Sequence, residues 1–213
     1  MNAPGSRLWL VSCLAFRAIS WCLGQRSVVI GLENLPQHGG YILAPKHQYV
    51  TDPPLISVAF SRPTYFMAKI ELFKLAVFRW YLGQIAVFPV DRDDPQSGSE
   101  ATSLAIQLAS AGKPVAIFPE GGRYPGIGMG ELHEGLVLIA RRARVPVIPL
   151  AIGYKPNHPK LFGRGQRWLV VIGPPVSDQS GITHGKGCRL TTEDLSLALS
   201  EVTVAAVTLA ESM

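Results

Sequence analysis

At 213 residues with three cysteines (Cys13, Cys22 and Cys188), the chain is long enough to bury one large core unaided, and an odd cysteine count with no CxxC pair argues against a disulfide framework or a zinc site. Charged residues make up only 16%, against about 25% in an average soluble domain, while hydrophobic residues reach 47% and the formal charge is +5. A basic, apolar chain suits an anionic membrane face or an anionic substrate, and the lack of a dense Lys/Arg stripe interleaved with aromatics speaks against nucleic acid as a partner.

The first apolar stretch, Leu8 to Leu23, is preceded by Arg7 and interrupted by Arg17. A secretory signal needs an unbroken apolar run and a small-residue cleavage site, and a spanning helix needs about 20 apolar residues. The stretch meets neither requirement. It reads as a helix lying in a membrane interface, with Trp9, Phe16 and Trp21 as aromatic anchors and the arginines toward headgroups. A helix packed on the protein's own core is the alternative. Residues 1–24 are therefore set apart as an amphipathic membrane-associating segment, and residues 25–213 form one domain.

Within that domain short apolar runs alternate with longer periodic ones, which is an α/β pattern. Strands are expected at 27–32, 41–44, 64–68, 85–90, 114–118, 145–154 and 168–172. Helices are expected at 52–59, 71–82, 97–111 and 132–142. A last amphipathic helix is expected at 191–211, opened by Thr191 and Asp194 as a capping box. Residues 155–166 and 174–188, rich in Gly, Pro and basic residues, read as loops.

Four constellations carry candidate chemistry. In Lys46-His47-Gln48-Tyr49-Val50-Thr51-Asp52, His47 follows a strand end and Asp52 precedes Pro53-Pro54. Asp52 is well placed to cap a helix, with His47 an ordinary loop histidine. Alternatively the chain turns back, so that the carboxylate orients one imidazole nitrogen and leaves the other as a general base. Phe88-Pro89-Val90-Asp91-Arg92 ends an apolar strand in charge, and Arg92 is either a phosphate clamp or a solvated loop residue. Phe118-Pro119-Glu120-Gly121-Gly122-Arg123 runs a buried strand into an acid, two glycines that let backbone approach a ligand, and a guanidinium fork suited to phosphate. Its plain reading is a Gly-Gly turn with a surface Glu–Arg pair. Val145-Pro146-Val147-Ile148-Pro149 denies two ladder donors, and lines an apolar groove or simply fills the core.

Together these residues resemble the PlsC-like 1-acylglycerol-3-phosphate acyltransferase superfamily. That family carries, in order, His-x4-Asp, an arginine block, Phe-Pro-Glu-Gly-Thr-Arg and Val-Pro-Val/Ile-Ile/Val-Pro. The chain matches at His47/Asp52, Arg92, Phe118 to Arg123 and Val145 to Pro149, with Ala68-Lys69-Ile70-Glu71-Leu72 similar to a further family segment. It departs where the family often has Asn before the histidine and Ser two after it (here Lys46 and Tyr49), and where Gly122 replaces Thr. In the arginine block, often Gly-x-Ile-Pro-Val-Asp-Arg, Gly83 lies farther upstream.

The resemblance implies a single α/β domain with a mixed, largely parallel central sheet flanked by helices. It also implies acyl transfer from acyl-CoA or acyl carrier protein to a lysophospholipid hydroxyl, at a membrane on its cytoplasmic face, with no cofactor and no metal. His47 and Asp52 would be catalytic. Lys69, Arg92, Glu120, Gly121, Gly122 and Arg123 would bind substrate, the cations holding the acceptor phosphate and Glu120 meeting its glycerol part or bracing Arg123. Because Pro53 and Pro54 lack N–H groups, an oxyanion donor from this helix start must come from a later residue. The departures leave a different acceptor, such as a lyso-aminolipid, open. A non-catalytic lipid-binding module would not need the His/Asp pair, and a thioesterase-like hydrolase would release CoA without any lysolipid.

Overall fold

Seven strands form where the apolar runs predict them, and they join in one sheet. The computed structural model describes residues 7–60, 62–155 and 164–213. Its strands are β1 (Arg26–Ile30), β2 (Tyr41–Pro45), β3 (Tyr65–Lys69), β4 (Val87–Val90), β5 (Pro114–Ala116), β6 (Val147–Lys155) and β7 (Arg167–Ile172), and their spatial order is β1-β7-β6-β2-β5-β3-β4. Every neighbouring pair is parallel except β6 and β7, which are antiparallel. The fold is thus a single α/β domain around a mixed, mostly parallel sheet. Central β2 is buried from Tyr41 to Ala44 on both faces, which is why it reads as an unbroken apolar run instead of an alternation.

Helices α1 (Arg7–Cys22), α2 (Asp52–Ala59) and α3 (Ala76–Gln84) lie toward one face of the sheet, where Leu55, Ile56, Phe60, Phe73 and the partly buried Phe16 and Leu82 share a core with Leu43, Ile148 and Val170. Helices α4 (Pro95–Ser110), α5 (Gly135–Ala143) and α6 (Thr192–Ser212) cover the other face through Ala101, Ala105, Leu136, Ile139, Leu195 and Leu199. The capping box at Thr191 and Asp194 is formed. Among the described residues α6 is the one helix long and apolar enough to cross a membrane. Its Leu195, Leu199, Val202, Ala206 and Ala210 are buried against the domain, and a Cβ at Gly153 of β6 would overlap the Ala206 carbonyl, so the helix lies tight on the sheet.

One expected helix changes in detail. The helix expected over 71–82 is split into a 3-10 turn, Ile70–Phe73, and α3, with Leu75 extended between them (φ −84°, ψ 127°). Phe73 turns into the core while Leu72 and Leu75 stay exposed. The loop expected at 155–166 and the N-terminal segment at 1–24 both fall partly outside the described residues, at 156–163 and 1–6.

The parallel arrangement of β2, β3, β4 and β5 places their carboxyl ends on one edge of the sheet. Four sequence blocks follow those ends: residues 46–52 after β2, Lys69 closing β3, Arg92 after β4 and residues 118–123 after β5. Crevices at this edge are where open α/β sheets bind ligands.

Candidate active site

The loop after β2 resolves the two readings of Asp52. Thr51, not Asp52, is the N-cap of α2, and no side chain caps that helix. The reason is in the sequence. An N-cap side chain bonds the amide two or three residues on, but Pro54 has no amide, and the Leu55 N–H donates to the Thr51 carbonyl at 3.1 Å. With no forward donor, the carboxylate turns back. Asp52 Oδ2 accepts from His47 Nδ1 at 2.8 Å, from the Gln48 amide at 2.7 Å and from the Tyr49 amide at 2.9 Å. Asp52 Oδ1 accepts from the Tyr154 hydroxyl, which also lies 3.3 Å from Thr51 Oγ1. A fully buried carboxylate is thereby satisfied by four donors. The bonded Leu55 amide also means that the expected oxyanion donor is not the first amide after the two prolines.

His47 is held from three sides. Asp52 fixes Nδ1 as the protonated nitrogen, leaving Nε2 as the basic one. The Phe118 ring lies against the imidazole at 4.2 Å between centroids. The backbone is tied at both ends, the His47 amide to Glu120 Oε2 at 2.8 Å and the His47 carbonyl to the Tyr124 amide at 2.8 Å. Tyr154 is buried, and that burial, reinforced by the Asp52 charge and hydrogen bond, holds its phenol well above the usual range and keeps it a donor.

Glu120 takes a place that sequence did not foresee. Its side chain is fully buried, with Oε1 accepting from Lys46 Nζ at 3.0 Å and from the Gly130 amide at 3.0 Å. Lys46, also without side-chain exposure, donates its other described bond to the Gly128 carbonyl at 2.5 Å. The carboxylate therefore ties the base-bearing loop to residues 128–130. It forms no ion pair with Arg123 among the described residues. Gln48 adds a second tie, donating to the Ile152 carbonyl at 2.6 Å and accepting from the Gly126 amide at 3.2 Å.

The cations line the same edge, exposed. Arg92 donates to the Gly121 carbonyl. Gly121 has φ +61°, and a Cβ there would sit 2.8 Å from His133 Nε2 and 3.1 Å from Arg92, so only glycine fits between them. Lys69 pairs with Glu71 at 2.8 Å, and that hydrogen bond and charge raise its pKa while lowering that of Glu71. Arg92 and Asp93 are close enough to act electrostatically on Lys69. Arg123 is exposed, and its neighbour Tyr124 is bonded to His47. An imidazole base backed by a carboxylate, beside exposed cations on one sheet edge, is equipped to deprotonate a hydroxyl on an anionic molecule.

The acyltransferase family profile matches residues 26–153, more than half of the chain. The chain belongs to the acyltransferase family. The acyltransferase is 30% identical over 177 residues to the 1-acyl-sn-glycerol-3-phosphate acyltransferase of Bacillus subtilis, covering 82% of this chain and 86% of that one. It is 32% identical over 199 residues to the enzyme of the same name from Pseudomonas aeruginosa, covering 87% and 68%. It also superposes on the crystal structure of the 1-acyl-sn-glycerophosphate acyltransferase PlsC from Thermotoga maritima with a TM-score of 0.71 at 28% identity, over 97% of this chain and 80% of that one. It is accordingly an O-acyltransferase.

All eight residues singled out from sequence lie at one sheet edge in this acyltransferase, on strand ends and loops or, for Asp52, at the first residue of α2, with His47, Asp52 and Glu120 on its buried side and Lys69, Arg92 and Arg123 on its exposed rim. Sequence reasoning missed the roles of Lys46 and Gln48, and gave no role to His133 or Tyr154. Lys46 and Gln48 lie beside His47 and were open to notice. Tyr154 sits about a hundred positions downstream and nothing local marks it. The displaced glycine of the arginine block also has a structural counterpart. Counting back from Arg92, the family glycine falls on Ala86, which holds φ 64° in the left-handed region while fully buried.

Proposed function

We propose that the acyltransferase moves a fatty acyl group from acyl-CoA or acyl carrier protein to the free hydroxyl of 1-acylglycerol-3-phosphate, giving phosphatidate, at the cytoplasmic face of a membrane. The observation that carries this reading is the 2.8 Å bond between His47 Nδ1 and an Asp52 carboxylate whose remaining acceptor sites are already occupied. His47 Nε2 takes the acceptor hydroxyl proton as that oxygen attacks the thioester carbonyl. The carbon–sulfur bond then breaks, and the imidazolium returns the proton to the leaving thiolate as free thiol. Asp52 orients the ring and stabilises the imidazolium. No covalent acyl-enzyme is needed. Lys69, Arg92 and Arg123 hold the phosphate, and Gly121 and Gly122 keep the rim open to it. The names of the relatives support the acceptor, and α1, with Leu10, Val11, Leu14 and Trp21 exposed, supports contact with lipid.

A donor-by-acceptor matrix with product mass spectrometry tests the reading. His47→Ala is expected to lower turnover on the order of 10²–10⁴-fold while remaining folded. Arg92→Ala with Arg123→Ala is expected to raise the KM for lysophosphatidate and to leave a phosphate-free lysolipid unaffected. Wild-type turnover in the His47 variant removes the base. Equal loss on both acceptors removes the phosphate site. Better turnover of a lyso-aminolipid than of lysophosphatidate replaces the acceptor.

A further inference from the structure

The 3-10 turn Ile70–Phe73 and α3 are not explained by the chemistry above. No residue of α3 is buried, although its sequence, Ala-Val-Phe-Arg-Trp-Tyr-Leu-Gly-Gln, is largely apolar. Leu72, Leu75, Val77, Phe78 and Trp80 are 56%, 64%, 75%, 52% and 61% exposed. Single exposed hydrophobics need no explanation, but five within nine residues form a patch that does. Val77 and Trp80, three apart on the helix, share its outward side, while Leu82 packs inward on the core.

The charges around this patch are of one sign. Glu71 is neutralised by Lys69, which leaves the exposed Lys74 and Arg79. The patch adjoins a second of the same kind, because Tyr81 of α3 donates to Ser12 of α1 at 3.0 Å. Arg7 and Arg17 lie among the exposed residues Leu10, Leu14 and Trp21 of α1, and no acid occurs on that helix. A surface that is apolar at its centre and cationic at its fringe sets like charges against each other in a contact with a second copy of itself. It complements an anionic bilayer, with Trp80 and Trp21 suited to the headgroup level. The patch begins at Leu72, three residues past Lys69, at the sheet edge that carries His47 and Arg92.

We propose that residues 70–80 are a second membrane-inserting element, which docks beside α1 into an anionic lipid surface and sets the catalytic edge at headgroup height. This rests on the reading of the acceptor as a membrane lipid, but its test does not depend on turnover. The full chain is sedimented with mixed phosphatidylcholine–phosphatidylglycerol vesicles. Val77→Asp with Trp80→Asp is expected to weaken binding by about a hundredfold or more, since two apolar side chains that leave water on docking are replaced by charges that stay hydrated. Val77→Leu with Trp80→Phe is expected to retain it. If the charged pair fails to fold, Val77→Ala with Trp80→Ala is expected to lose about tenfold.

Unchanged vesicle binding in a folded charged or alanine pair, with α1 intact, overturns the proposal. So does a concentration-dependent dimer that the charged pair dissociates without changing vesicle binding, which would make this face an interface between copies. A protein that binds vesicles through this face but does not acylate lysophosphatidate defeats the functional reading and leaves this one standing.

Discussion

Glu120 separates two accounts of the Phe-Pro-Glu-Gly-Gly-Arg block. If its carboxylate meets the acceptor, Glu120→Gln raises the acceptor KM and leaves stability alone. The structure instead buries it against Lys46 Nζ at 3.0 Å, the His47 amide at 2.8 Å and the Gly130 amide at 3.0 Å. A glutamine there retains one acceptor and turns its NH2 toward a donor, so at least one of those groups is left facing a donor. Lys46, with no side-chain exposure, would also lose its counter-charge. Removing one partner of a buried pair costs about 3–5 kcal/mol. At roughly 2–4 °C per kcal/mol for a chain of this size, Tm should fall on the order of 10 °C. Because the same carboxylate anchors the His47 backbone, kcat should drop up to about a hundredfold through misplacement of the base, with the acceptor KM nearly constant. Combining Glu120→Gln with Lys46→Met should restore part of the stability, since no lone buried charge remains. Urea unfolding of the four proteins of this cycle, with initial rates, measures both effects. An unfolding free energy within about 1 kcal/mol of wild type, or a loss expressed wholly in KM, refutes the positioning role.

Tyr154→Phe leaves Asp52 Oδ1 without its donor and should cost about 1–3 kcal/mol near neutral pH. The phenol is raised on folding, so its contribution is complete below about pH 10, where the unfolded chain ionises, and declines as pH rises beyond it. Wild type and Tyr154→Phe should therefore converge in urea stability above about pH 10, and a constant gap across that range contradicts the argument. Gly121→Ala places a methyl against His133 and Arg92 at a positive φ. A destabilisation of about 1–2 kcal/mol with a raised KM for lysophosphatidate is expected, and a silent variant shows that the rim adapts. Deleting residues 1–24 should weaken vesicle co-sedimentation about tenfold without abolishing it, and equal binding of the shortened chain rejects α1 as an anchor.

Much of the architecture was written locally. Buried parallel strands need apolar side chains on both faces, so β2, β5 and β6 stand out as continuous runs, and the Gly, Pro and capping residues between elements mark where they stop. The blocks around His47, Arg92 and Glu120 were likewise legible as strand ends, and the parallel pairing of β2, β5, β3 and β4 brings those ends to one edge. Even the turn of Asp52 toward His47 was latent in Pro53-Pro54, which removes the amides that a cap would use. Tertiary structure alone decided the rest. Tyr154 reaches Asp52 because β6 pairs with β2, and Glu120 reaches Lys46 because β5 pairs with β2 on its other side. Those pairings depend on free energy summed over the whole sheet, which no local pattern of residues encodes. The same holds for α3, whose helical period was readable but whose outward side, uncovered among the described residues, appears only once the domain has closed around its core.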